Sequence, residues 1–455
     1  MNTGRLCASF GNRASPMERL RTTWDLLRTS FWFVPSLMVL AAAALAAATV
    51  VLERRFVDAA EAPFYLYVGT PGDAQNTLAA ILSSMITMAS LVFSITMVVL
   101  TLAASQFGPR LIRSFMANPQ TQIVLGAFVM TIIYCLLVLP TVGATIDSRP
   151  SPYVSVSMAL FLTVISTGLL VLFLDTLARS IVSETVIERV AGELDGLLED
   201  YPLLDDGDEK SVAAVPAHEK GNVVRIGAAR TGYVLAIKYE QLLAAAERAD
   251  VVVALPFRAG HYIVPGARQI SIWPAKHVNA DVAAEVQATI LTGIHRTPVQ
   301  DPDFPIRHLV EIAVRALSPA VNDPYTAVAV IDRLSASLCK LMERKLPSAA
   351  ICDDHSRVRV TGPVPTHASL IAASFNQIRQ NGARVPIVVL HLLEAIERIG
   401  AHIRTTEQRQ SLCEQAAVLI AAARRQIPDA SDRDAIEARC AATTQFLQCG
   451  SGPCP

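Results

Sequence analysis

Residues 83–110 read SSMITMASLVFSITMVVLTLAASQFGPR. No charge appears before Arg110, yet hydroxyls recur along the whole run. A membrane span needs about 20 predominantly apolar residues, and this stretch supplies them. Placed on a helix at about 100° per residue, Ser83, Thr87, Ser90, Ser94, Thr101 and Ser105 fall within roughly 60° of arc. Ser84 and Thr96 fall outside it. At about 1.5 Å per residue the seam is roughly 33 Å long, close to the thickness of the hydrocarbon core. It is one polar line through the membrane, not a local site.

Such a seam has two physical uses. Small and hydroxylated residues let helices approach closely and bond across the interface, and each hydroxyl can also donate to the carbonyl four residues earlier. Alternatively, several copies of the helix line a watery path that selects by diameter and dipoles, without fixed charge. At its end, Gly108 and Pro109 stop the helix. Gln106, Arg110 and Arg113 then form a cytoplasmic lip, either as positive-inside anchors or as a ring that attracts anions.

Three further stretches are long and apolar enough to span. The expected spans are about 31–52, 78–105, 122–146 and 154–174, within a transmembrane module at 31–177. Arg5, Arg13, Arg19, Arg21 and Arg28 precede the first, Arg110 and Arg113 follow the second, and Arg179 and Arg189 follow the fourth. The other side has Arg54 and Arg55 beside Asp58 and Glu61, and then Arg149. This bias places both termini in the cytoplasm of a bacterial inner membrane, with the loop from Glu53 to Thr77 and its turn at 69–72 outside. A secretory signal is the competing reading of the first run, but about 22 apolar residues followed by three more spans argue for a span. Residues 1–30 form a cytosolic N-terminal segment, and MERLRTTWDLL at Met17 reads as an alternative start.

No ionisable side chain lies inside any span; Asp175 sits at a helix end, four residues before Arg179. Coupled pumps and transporters need intramembrane carboxylates or histidines, so a passive path or a sensor fits better. The charge deficit, 17% over the 455 residues, is concentrated in the first 180. A net charge of −1 argues against nucleic acid as a partner. The eight cysteines form no CxxC and, with the nine histidines, no zinc-ligand spacing. The HxxE pair His391 and Glu394 reads as a helix-surface pair. No GxSxG, Walker or GxGxxG context appears. The expectation is therefore no cofactor, no metal and no catalytic residue.

Residues 178–221 begin as an amphipathic stalk helix, with Ile181, Val186, Val190, Leu194 and Leu197 near one face, and end as an acidic linker. Residues 222–274 favour short strands (NVVRIG, GYVLAI, DVVVALP, HYIVPG, RQISIWP) interrupted by the helix YEQLLAAAER. Within them RAGHYIVPGARQI resembles the hairpin of barrel-sandwich domains, without an attachment lysine. Residues 275–447 repeat apolar positions at i, i+3 and i+4, as in a helical bundle, before a tail at 448–455.

Two segments, QDPDFPIRHLVEIAVRALSPAVNDPYTAVAVIDRL at 300–334 and LVFSITMVVLTLAASQFGPRLIRSF at 91–115, resemble the signature of a bacterial membrane family known as domain of unknown function 2254. The resemblance runs from about Met17 to about residue 425. It implies an inner-membrane protein with spans near the N-terminus and a soluble C-terminal part, and it carries no reaction and no catalytic residues. Read from the residues, ALSPAVNDPYTAV is a helical hairpin, with Asp323 as N-cap and Pro324 as the first helical residue. Glu311, Arg315, Asn322 and Asp323 either line a polar pocket there or are spent on capping and pairing.

The sequence thus describes an α-helical polytopic membrane protein with four spans and a C-terminal cytosolic α+β domain. The lipid bilayer is its medium, and a homo-oligomer is expected, since one four-helix protomer encloses little volume. Three functions stand: a channel for an ion or small ligand lined by the second span, a membrane-anchored sensor or scaffold, and, with least support, a membrane-bound enzyme.

Overall fold

A computed structural model describes residues 33–56, 70–107, 119–143, 153–180, 183–204, 222–228, 230–267 and 269–449. The chain divides into two compact units, with the break at Thr185/Val186. The N-terminal unit holds α1 (Phe33–Phe56), α2 (Pro71–Phe107), α3 (Pro119–Gly143) and α4 (Tyr153–Ser180). All four contain stretches long and apolar enough to cross a membrane: Phe33–Glu53, Gly72–Leu102, Gln120–Val142 and Tyr153–Asp175. The four expected spans lie within these helices except for residues 31–32 and 144–146, which fall outside the described residues.

α2 starts earlier than expected. The turn foreseen at 69–72 is in part its N-terminus, because Thr70 and Asp73 cap each other: the Thr70 hydroxyl donates to Asp73 Oδ2 at 2.6 Å, and the Asp73 amide donates back to Thr70 Oγ1 at 3.3 Å. α3 is the central helix and packs on α1, α2 and α4. Its Phe128, Tyr134, Cys135 and Val138 are fully buried. At Gly126 a β-carbon would collide with Met38 of α1, so the small residue permits the close approach of the two helices.

The C-terminal unit takes α5 (Ser183–Glu199), then β1 (Val224–Ile226), β2 (Gly232–Ile237), α6 (Tyr239–Ala249), β3 (Val252–Ala254), β4 (Tyr262–Ile263) and β5 (Ile270–Trp273). There follow α7 (Ala280–Ala288), β6 (Ile290–Gly293), α8 (Asp303–Ala316), α9 (Pro324–Met342), β7 (Ala350–Cys352) and β8 (Val358–Thr361). Four helices finish it: α10 (His367–Gly382), α11 (Pro386–Gly400), α12 (Thr406–Gln426) and α13 (Ala430–Cys449). The five strands and one helix expected within 222–274 are present. Three strands, β6, β7 and β8, interrupt the region expected to be helical throughout.

Those strands change the topology. β8 lies parallel to β3, which makes a five-stranded sheet in the order β1-β5-β3-β8-β7. The stretch 222–274 is therefore not a self-contained subdomain. The hairpin suggested by RAGHYIVPGARQI does not form either. β4 joins a three-stranded sheet β4-β2-β6, while β5 belongs to the larger sheet. Strands of two to six residues choose partners by burial: Ile263, Ile270 and Ile272 all enter one apolar core with Val253 and Val360.

α5, expected as a stalk, is built into this unit. Val186, Ile187, Val190, Ala191, Leu194 and Leu198 are buried along one face. Between them Asp195 accepts hydrogen bonds from α9: Ser337 Oγ at 2.6 Å, Arg333 Nη2 at 2.9 Å and Lys340 Nζ at 2.9 Å. Desolvation opposes the Asp195 charge, but these three donors together outweigh it and hold the carboxyl below its ordinary range.

Candidate functional site: two polar faces of the membrane module

The seam read from the sequence lies on the outside of its own bundle. α2 buries Ala74, Leu78, Ile81, Met85, Val92 and Val99. Ser83, Thr87, Ser90, Ser94 and Thr101 are all exposed, roughly 170° around the helix from the line of Leu78, Met85 and Val92. Thr87 and Thr101 donate to the carbonyls four residues back, at 3.0 and 2.8 Å. Ser105 and Gln106 continue the helix. Arg110 and Arg113 lie outside the described residues. The seam does not pack this protomer, because the apolar stripe on the opposite side of α2 does so. Exposed Ile86, Phe93, Met97 and Val98 flank it.

A second set of hydroxyls, not singled out in the sequence, sits in the core. Tyr134 of α3 donates to the Ser155 carbonyl of α4 at 3.0 Å and shares a 3.0 Å hydrogen bond with Thr49 of α1. Thr49 also reaches the carbonyls of Leu45 and Ala46. Glu53, at the end of the first apolar stretch, accepts from the Val154 amide at 3.1 Å and the Ser155 hydroxyl at 2.6 Å. That carboxylate satisfies the first turn of α4, where donors would otherwise be orphaned. One turn along α3, Thr131 pairs with Ser166 at 3.0 Å. Beyond Thr131 the α3 core continues as Phe128, Ala127 and Val124, all buried, until Gln122 and Thr121. The internal polar column therefore reaches part way through the bundle and then meets an apolar plug.

The expected polar site of the C-terminal unit does not assemble as a pocket. Asp323 caps α9, accepting from the Thr326 amide at 3.1 Å and its hydroxyl at 2.6 Å. Asn322 takes the left-handed conformation, φ 50°, in the hairpin turn. Glu311 and Arg315 stand one turn apart on α8, half-buried. The two best-formed cavities among the described residues are lined by none of the four, and each has only about 10 Å³. No group of three metal-ligating side chains occurs among the described residues. His391 Nδ1 lies 2.9 Å from the Ile387 carbonyl of its own helix.

What the family-like motif QDPDF does hold is a buried ion-pair brace. Asp301 is fully buried and bound by Arg296, whose Nη2 donates to Oδ1 at 2.8 Å. Asp303, at the first turn of α8, is bound by Arg258. Burial works against the Arg296 cation, yet Asp301 and Asp303 hold it firmly charged. The Tyr201 hydroxyl nearby is pushed up to about 12 by burial. Gly260, at φ +83°, lies against this brace, and a β-carbon there would collide with the Asp301 carboxylate. Gln300 adds two bonds to the backbone of Ile237 in β2, at 2.9 and 3.1 Å. Two arginines and two aspartates neutralise each other, so the brace joins the three-stranded sheet to α8 and leaves no net charge for a substrate. The Asp-Pro-Asp at 301–303 was the available sequence signal; Arg296 lies five residues before Asp301 in the same connection, while Arg258 comes from a loop 45 residues before Asp303.

Four helices long and apolar enough to cross a membrane precede a mostly helical C-terminal unit, as fits a membrane protein. The chain belongs to the family described as "Predicted membrane protein (DUF2254)", which matches residues 28–398. It is 30% identical over 443 residues to the uncharacterised proteins Mb1321c of Mycobacterium bovis and Rv1290c of Mycobacterium tuberculosis H37Rv. The match covers 95% of this chain and 84% of each relative. No solved structure matches the chain.

Proposed function

We propose that several copies of this chain assemble in a bacterial inner membrane, both termini cytoplasmic, and form a passive path for an ion or small polar solute along the hydroxyl face of α2. The observation that carries this reading is the exposure of Ser83, Thr87, Ser90, Ser94 and Thr101 on the side of α2 turned away from its own bundle. The buried apolar residues Val124, Ala127 and Phe128 support it, because they interrupt the line of polar side chains inside the protomer. Selection along such a path rests on hydroxyl dipoles and diameter, with Arg110 and Arg113 at the inner mouth.

Control by the C-terminal unit is part of the same reading. Only residues 181–182 separate α4 from α5, and α5 is held in the C-terminal unit by Asp195.

The test is solute flux and single-channel recording on the purified protein in liposomes, with an ion series. Ion-selective current altered by Ser90→Ala or Ser94→Ala, in an oligomer that survives, is the expected result. Silence from an intact oligomer shifts the reading to a membrane-anchored sensor or scaffold. That second reading draws on the exposed apolar side chains of Tyr262, Leu291 and Ile294 in and beside the three-stranded sheet, which suit a protein partner.

A further inference from the structure

Between α10, α11 and α12 lies a cavity of about 10 Å³, lined by Phe375, Arg379, Leu392, Ile396, Gln415 and Leu419. Two of these residues turn polar atoms inward that have no hydrogen-bond partner within the described residues: Arg379 Nε, a donor, and Gln415 Oε1, an acceptor. The two observations are independent, one of volume and one of chemistry, and they meet at one place. Buried donors and acceptors in folded proteins are satisfied with few exceptions. A space of this size holds about one water, and only where polar partners converge on it.

We infer that this cavity is a binding site for one ordered water, which accepts from Arg379 Nε–H and donates to Gln415 Oε1. The pairing of one donor with one acceptor selects water over other small species. A halide would accept from the arginine but would face the carbonyl oxygen of Gln415 with nothing to donate. A metal ion would meet the guanidinium charge and find no carboxylate in the lining. The water joins α10 to α12 against the apolar side chains of α11, and it holds Arg379, which has no ion pair among the described residues, in place of a counter-ion.

The test uses the full-length protein in nanodiscs. A structure at a resolution that displays ordered solvent is expected to place one water within hydrogen-bond distance of both atoms. Arg379→Met and Gln415→Leu each leave the other atom stranded, and each is expected to lower the melting temperature by about 2–4 °C. The double variant removes both polar atoms and fills the space, so it is expected to melt above the sum of the two losses. Strictly additive losses overturn the inference. So does a direct bond between Arg379 Nε and Gln415 Oε1 in the structure. The third overturning result is stabilisation on replacing gluconate by chloride that vanishes in Arg379→Met, which would assign the site to an anion.

Discussion

The membrane module carries two sets of hydroxyls with opposite fates. Thr49, Thr131, Tyr134, Ser155 and Ser166 are buried and bonded to one another, to backbone or to Glu53 across three helices. Those of α2 face outward, and the two threonines among them bond only to their own helix. The first set is spent on holding the protomer together. The second contributes little to that, which leaves it available for a neighbour or for water. Richness in hydroxyls is thus a poor guide to where a bundle is braced: the helix with the most conspicuous seam contributes least to the core's polar contacts.

Substitutions sharpen this contrast in a graded way. Tyr134→Ala removes a large, fully buried ring and two cross-helix bonds, and should cost about 3 kcal/mol in unfolding of the detergent-solubilised protein. Tyr134→Phe keeps the ring and should cost about 1 kcal/mol. A loss as small for Tyr134→Ala as for a surface change would break the comparison.

Asp195 extends the contrast into the C-terminal unit, since it too is a spent polar group. Asp195→Ala strands two cations of α9 and should cost about 2–3 kcal/mol, seen as protease sensitivity around α5. The Asp195 carboxyl is held below its ordinary value in the folded chain. Its stabilising contribution is therefore present above the unfolded value near pH 4 and is lost as pH falls through the lowered folded value. Asp195→Asn should flatten the acid limb of a melting-temperature profile. An unchanged limb would remove Asp195 from the account.

Glu53→Ala leaves the Val154 amide and the Ser155 hydroxyl without their acceptor and should cost about 1–2 kcal/mol, while Glu53→Gln, which can still accept, should cost less. Thr131→Val, read by the same unfolding assay, should cost about 0.6 kcal/mol, the usual worth of a hydrogen bond between membrane helices. Smallest of all, Ser90→Ala with Ser94→Ala should change protomer stability by less than about 0.5 kcal/mol. A large loss of protomer stability in that double variant would show that the outer seam packs its own bundle after all.

Much of the architecture was legible from the residues. Spans are set by apolar length, which is local; the early start of α2 was not read, because the Thr70/Asp73 cap lies in a stretch expected as an outer turn. The strands at 222–274 announced themselves by β-branched runs between glycines and prolines. β6, β7 and β8 did not, because short strands embedded among helical patterns gain their stability from distant partners: Val360 of β8 pairs with Val253 more than a hundred positions earlier. The candidate site divides the same way. The arc of Ser83, Thr87, Ser90, Ser94 and Thr101 was computable, since helical geometry fixes angles within one helix. Asp323 as a cap was readable from Asn-Asp-Pro. The Arg258, Arg296, Asp301 and Asp303 brace was not, because Arg258 comes from a separate loop 45 residues before Asp303 and only the fold brings it to the other three.

By itself, then, the sequence determined which four stretches are long and apolar enough to cross a membrane, and which hydroxyls share a face. Hydropathy and helical period are properties of consecutive residues, and no tertiary contact is needed to evaluate them. Only the tertiary structure decided which way that face points. The direction depends on which side of α2 best fills the groove against α3, and Leu78, Met85 and Val92 fill it, so the hydroxyls face outward.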